Sequence, residues 1–189
     1  MNRYIYSNEL YHHGILGQKW GVRRYQNPDG SLTKAGQKRY GKSLEYVNAV
    51  KAVNDYKRAS NVKEYAIAQN NYEANRNMKQ KALDKGWHTE KSHKKMYPNF
   101  DTGTNYDRRR AEAYKEAVKL DDALRTRLND IDVTKQSYKQ TKKMVDDLLD
   151  DYVVKMRDVK DRFSNSEEFI NYQEMLNRSN IKKQQSLKM

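Results

Sequence analysis

The sequence predicts a mainly α protein: a small turn-rich N-terminal module followed by an elongated helical bundle or coiled-coil hairpin. Three observations carry this. Six of the eight glycines (Gly14, Gly17, Gly21, Gly30, Gly36 and Gly41) lie between residues 14 and 41, whereas residues 43–85 contain neither Gly nor Pro. From Tyr46 onward, apolar and aromatic residues recur in steps of three, four or seven, the spacing that places them on one face of a helix. The chain is 36% hydrophobic and 33% charged, with a mean hydropathy of −1.22. That is too polar for one thick core but sufficient for narrow helical seams.

The organisation follows in chain order as three segments: a glycine-rich docking module at 1–41, a basic helical segment with a hinge loop at 42–99, and a helical hairpin or coiled coil with a C-terminal helix at 100–189. Within the first, Asn27-Pro28-Asp29-Gly30 is a β-turn signal, since Pro28 presets φ and Gly30 accepts the positive φ that other residues resist. Tyr25 and Leu32 flank this turn, and Ser31 or Thr33 is placed to cap a short helix reaching about Arg39. Tyr46, Val50, Val53 and Tyr56, then Val62, Tyr65, Ala68 and Tyr72, predict one helix or two, with a break near Ser60-Asn61. Residues 86–104, holding Gly86, Pro98 and Gly103, read as a loop or hinge.

Tyr106, Ala113, Ala117, Leu120, Leu124, Leu128 and Ile131 define the clearest helix. After a break near 130–134, Tyr138, Val145, Leu148, Tyr152, Met156, Val159 and Phe163 define its partner, as in a helical hairpin or coiled coil. Ser164-Asn165-Ser166-Glu167 matches a capping box with Ser164 as cap, which starts a last helix through Phe169, Tyr172, Met175 and Leu176. The tail, 181–189, is expected to fray.

Charge narrows the partners. The chain carries 38 Lys and Arg against 25 Asp and Glu, a net +13. The excess is +5 over residues 1–41, +6 over 42–99 and only +2 over 100–189. A surplus of this size favours DNA, RNA or an acidic protein face. Cysteine is absent, which excludes disulfides and Cys-ligated zinc. No apolar run approaches membrane-spanning length and the start has no signal-peptide core, so a soluble protein made in the cytoplasm, without a membrane partner, is expected.

Residues 11–41 form the densest motif: His12-His13-Gly14-Ile15-Leu16-Gly17-Gln18-Lys19-Trp20-Gly21-Val22-Arg23-Arg24-Tyr25-Gln26-Asn27, then Asp29-Gly30-Ser31-Leu32-Thr33, Ala35-Gly36 and Arg39-Tyr40. This stretch, about a sixth of the chain, resembles a segment of the form HHGI-x-GQKWG-x-RR(Y/F)QN-x-DGSLT-x-AG-x-x-RY found in proteins of tailed phages and prophages of Gram-positive bacteria. The resemblance implies a phage structural or head-morphogenesis protein, with phage structural proteins as partners, packaged DNA as a further one, and the virion as its location. It carries over no catalytic assignment.

The residues also speak for themselves. Trp20 supplies contact area, and Arg23 and Arg24 suit bidentate contacts to carboxylate or phosphate. With His12, His13, Gly17, Gln18, Lys19, Gly21 and Tyr25 they form the expected partner-binding surface. Equally, Ile15, Leu16, Trp20 and Tyr25 suit the small core of a module that must dock to be stable. Arg108-Arg109-Arg110 is expected to open a helix, where the dipole disfavours cations. The triplet is therefore a candidate anion site, against the alternative of neutralisation by Asp107, Glu112 and solvent. His12-His13 with His88 and His93 lacks the carboxylate or thiolate spacing of a metal site.

The acidic pairs Asp121-Asp122, Asp146-Asp147 and Asp150-Asp151 read as solvated helix faces offset by lysines. No nucleotide loop, nucleophile elbow or metalloprotease motif occurs. A non-enzymatic protein without cofactor or metal is therefore expected: a capsid, scaffold or connector-associated phage protein, capable of forming homo-oligomers. A nucleic-acid-binding protein and a phage-encoded inhibitor of a host defence protein are the alternatives.

Overall fold

The computed structural model describes residues 24–186. Of the expected contact residues, His12, His13, Gly17, Gln18, Lys19, Trp20, Gly21 and Arg23 lie outside that range. The described chain is mainly helical, with α1 at Lys34–Asp84, α2 at Glu90–Met96, α3 at Phe100–Asn129, α4 at Tyr138–Ser164 and α5 at Glu167–Ser186. It divides into two compact units, one ending at Lys42 and the other beginning at Ser43.

In the first unit the turn forms as the sequence predicts. Gly30 has φ +86, its N–H donates to Asn27 O at 3.0 Å, and Gln26 bridges antiparallel to Leu32. Thr33 caps α1 by accepting from Gly36 N–H at 3.1 Å. The helix does not stop near Arg39 but continues through Gly41. Nor does it break at Ser60-Asn61. The Asn61 amide donates across to Asp121 Oδ2 at 2.8 Å, so it does not compete for its own backbone.

The second unit is built on α3. Along α1, Asp55 pairs with Arg125, Arg58 with Asp122, Glu64 with Arg110 and Lys79 with Asp101. The partner numbers fall as the α1 numbers rise, so the two helices are antiparallel. Tyr46 meets Asp146 and Lys57 meets Tyr152, so α1 and α4 are parallel. Ala68 on α1 and Ala111 on α3 are both buried, in the stretch bracketed by the Glu64–Arg110 tie. Both are small, so this part of the seam is closed with little apolar bulk. The seam continues through Val47, Leu124, Leu128, Val145 and Val159, all buried.

Three boundaries differ from expectation. The segment 86–104 is not a simple loop, because Thr89 and Ser92 form a reciprocal capping box that starts α2, and α3 already begins at Phe100, with Gly103 inside it. The cap of the last helix is Ser166 rather than Ser164. Ser166 Oγ accepts from Phe169 N–H at 3.4 Å, whereas Ser164 is still the last residue of α4. The backbone of α5 extends to Ser186, past the point where fraying is expected. This helix is pinned to α3 by Arg108–Glu168 at 2.8 Å and by Tyr106 and Tyr172, stacked with centroids 3.9 Å apart.

Candidate interaction site

Arg24 and Tyr25 are the expected contact residues that the structure describes, and they differ in kind. Arg24 is exposed. Tyr25 is half-buried, edge-on to the Tyr40 ring at 5.6 Å. Its hydroxyl accepts from Arg39 Nη1 at 3.0 Å, with the Arg39 guanidinium 5.1 Å from its ring centroid. Gly36 explains the packing. A Cβ there would lie 2.1 Å from Tyr25 O, so only glycine lets the helix start approach the turn this closely. Tyr25 thus belongs to the frame that presents Arg24. Its neighbours in the frame are Arg39 and Tyr40, and the bridge across the turn joins Gln26 to Leu32.

The arginine triplet does not open a helix. With α3 beginning at Phe100, Arg108–Arg110 lie in its third turn, beyond the reach of the N-terminal dipole. Arg108 pairs with Glu112 at 2.7 Å and with Glu168, Arg109 with Glu112 at 3.1 Å, and Arg110 with Glu64. The carboxylates that neutralise them come from this chain, two of them from other helices. That removes the physical reason for invoking an outside anion.

Asp121 overturns the reading of the acidic pairs as wholly solvated. It is 0% exposed. Its Oδ1 accepts from the Tyr152 hydroxyl at 2.7 Å, its Oδ2 from Asn61, and its main-chain oxygen from Asn54 Nδ2 at 2.9 Å. Burial, reinforced by the bond to Asp121, pushes the Tyr152 phenol far above its ordinary 10.0, so it stays a proton donor. Asn54 Oδ1 is buried without a hydrogen-bond partner. A buried polar layer of this kind fixes which residues face one another along a helical seam. Its carboxylate, Asp121, is wholly enclosed. The signal for it in the sequence was the pair Asn54 and Asn61, seven apart on the seam face between Val47 and Ala68.

His88 and His93 meet edge-on, with centroids 5.9 Å apart. His93 is buried against Tyr97 and Phe100 at 5.1 and 5.0 Å. Both act as packing aromatics. No group of three or more potential metal ligands occurs among the described residues.

Beside the polar layer, α1 and α4 diverge to leave an apolar groove of about 420 Å³. Val50, Val53, Leu149 and Val153 line it, with Asn54 and Lys57 at its edge. Val53 and Tyr56 are open to solvent. Sequence periodicity places Val53 and Tyr56 on the apolar face of the helix. The helix phase set by Val47 and Asn54 turns them outward instead. Among the described residues no helix is long and apolar enough to cross a membrane. Compared with protein-family models, with curated proteins and with solved structures, the chain has no match.

Proposed function

We propose that this protein is a non-enzymatic assembly component of a bacteriophage particle, associated with the capsid, scaffold or connector, and that it docks through residues 12–25. The single observation carrying this is the motif of residues 11–41, with Trp20, Arg23 and Arg24 as its contact chemistry. One feature supports it: the groove between α1 and α4 offers apolar surface to a further protein chain. In this reading the virion is its location and phage structural proteins are its partners.

Mass spectrometry of purified particles and of assembly intermediates tests the reading. The protein is expected in one or both, and its absence from both would falsify it. Trp20→Ala should abolish incorporation while leaving helix content nearly unchanged, since α1 begins only at Lys34. Full incorporation of that variant would mean that docking runs through another surface.

A further inference from the structure

Trp87 is 64% exposed, an unusual position for the largest apolar side chain. Its backbone is fixed. Gly86 takes φ +66, its N–H donates to Leu83 O at 2.9 Å, and Trp87 N–H donates to Ala82 O at 3.0 Å. This is the left-handed glycine cap that ends a helix and commits the next residue to one direction. Two residues on, the Thr89–Ser92 capping box starts α2, and buried His93 locks α2 onto Tyr97 and Phe100. The indole is therefore held out in solvent by a structured corner.

The corner is also basic and uncompensated. Residues 81–97 contain five lysines and two carboxylates. Glu90 is occupied by Lys79, and Asp84 accepts from Gln80. Lys81, Lys85, Lys91, Lys94 and Lys95 make no ion pair within the described residues. Lys85 Nζ stands 4.7 Å from the Trp87 ring centroid, so a flat group stacked on the indole would have its own anionic linkage near an ammonium. Lys91, Lys94 and Lys95 share one face of α2, at positions i, i+3 and i+4.

We propose that this α1–α2 corner binds single-stranded nucleic acid, with a base stacking on Trp87 and the phosphate backbone running past Lys85, Lys91, Lys94 and Lys95. An exposed π-platform with a lysine beside it and a lysine-rich helix following it combines the two features of sequence-tolerant single-strand binding. Duplex bases are already stacked and cannot use Trp87. A bilayer is the poorer fit, because seven-residue α2 carries a lysine stripe and lacks the continuous apolar face that interfacial binding needs. The site is independent of docking through residues 12–25 and stands whether or not the protein is found in particles.

The test uses the full chain with Trp20→Phe, which leaves Trp87 as the sole tryptophan. Titration with an oligothymidylate of about 15 nucleotides should quench Trp87 emission. The logarithm of affinity should fall against the logarithm of salt with a slope of about −2 to −3, as for three or four phosphate contacts. In the otherwise native chain, followed by the anisotropy of a labelled oligonucleotide, Trp87→Ala should weaken binding by about 5- to 100-fold at unchanged slope. Replacing Lys91, Lys94 and Lys95 together with Ala should flatten the slope. All four residues are exposed, so circular dichroism should show the parent fold. Absence of quenching, equal affinity for duplex, or a response confined to anionic phosphatidylserine vesicles would each overturn the proposal.

Discussion

The Tyr152 hydroxyl donates to Asp121 Oδ1 at 2.7 Å, joining α4 to α3 at a point where both side chains are buried. The same carboxyl takes the Asn61 amide from α1, so one residue ties three helices. Its removal leaves the buried Tyr152 hydroxyl and the half-buried Asn61 amide without their acceptor, and a buried donor stripped of its partner costs more than the bond itself was worth. Asp121→Ala should lower unfolding free energy by about 1 to 3 kcal/mol in urea denaturation. Asp121→Asn should cost less, because its oxygen can still accept from Tyr152 while the Asn61 amide rotates to accept from the new NH₂. Equal losses in the two variants would show that hydrogen-bond satisfaction is not what the residue contributes.

Tyr152 also predicts a pH dependence. Its phenol keeps its proton in the folded state at pH values where the unfolded chain, titrating near 10.0, has lost it. Above that pH the unfolded state binds fewer protons, so stability falls as pH rises. It is fully present below the unfolded value, and the loss approaches about 1.4 kcal/mol per pH unit for this one group. Tyr46 and Tyr106 are raised as well and contribute in parallel. The check is therefore a difference: between pH 10 and 11.5, Tyr152→Phe should lose stability less steeply than the parent. Parallel curves would contradict the assignment.

Gly36→Ala should disrupt the first unit locally. The added methyl would collide with Tyr25 O, and backbone cannot swing aside as a side chain can. A cost of about 1–3 kcal/mol is expected from overpacking of this kind. It should appear as faster amide exchange at Asn27 and Thr33, whose N–H groups are bonded across the turn. Protection in α3 and α4 should be unchanged.

Arg109→Ala tests the reassignment of the arginine triplet. Its partner Glu112 is half-exposed and is shared with Arg108, so the loss should stay below about 1 kcal/mol. Oligonucleotide affinity should change no more than loss of a remote charge demands. A drop as large as that of Trp87→Ala would restore the triplet as an anion site.

The sequence by itself determined the helical class, the turn at Asn27–Gly30 and the pairing potential of α3 and α4. Each of these is set by local chemistry: proline and glycine dihedrals, or apolar residues repeating at the helical period. Tertiary structure decided the rest. Whether α1 broke at Asn61 depended on whether that amide found a partner on another helix. Whether Asp121 was solvated or buried depended on Tyr152, 31 residues away, because a carboxyl enters a seam only where donors from other helices meet it. Arg108 found a second carboxylate, beyond Glu112 on its own helix, on α5, and Arg110 found its carboxylate on α1, at separations no local pattern encodes. Trp87 looked like one loop residue among many, until the Gly86 cap and the His93 cluster fixed the corner that displays it.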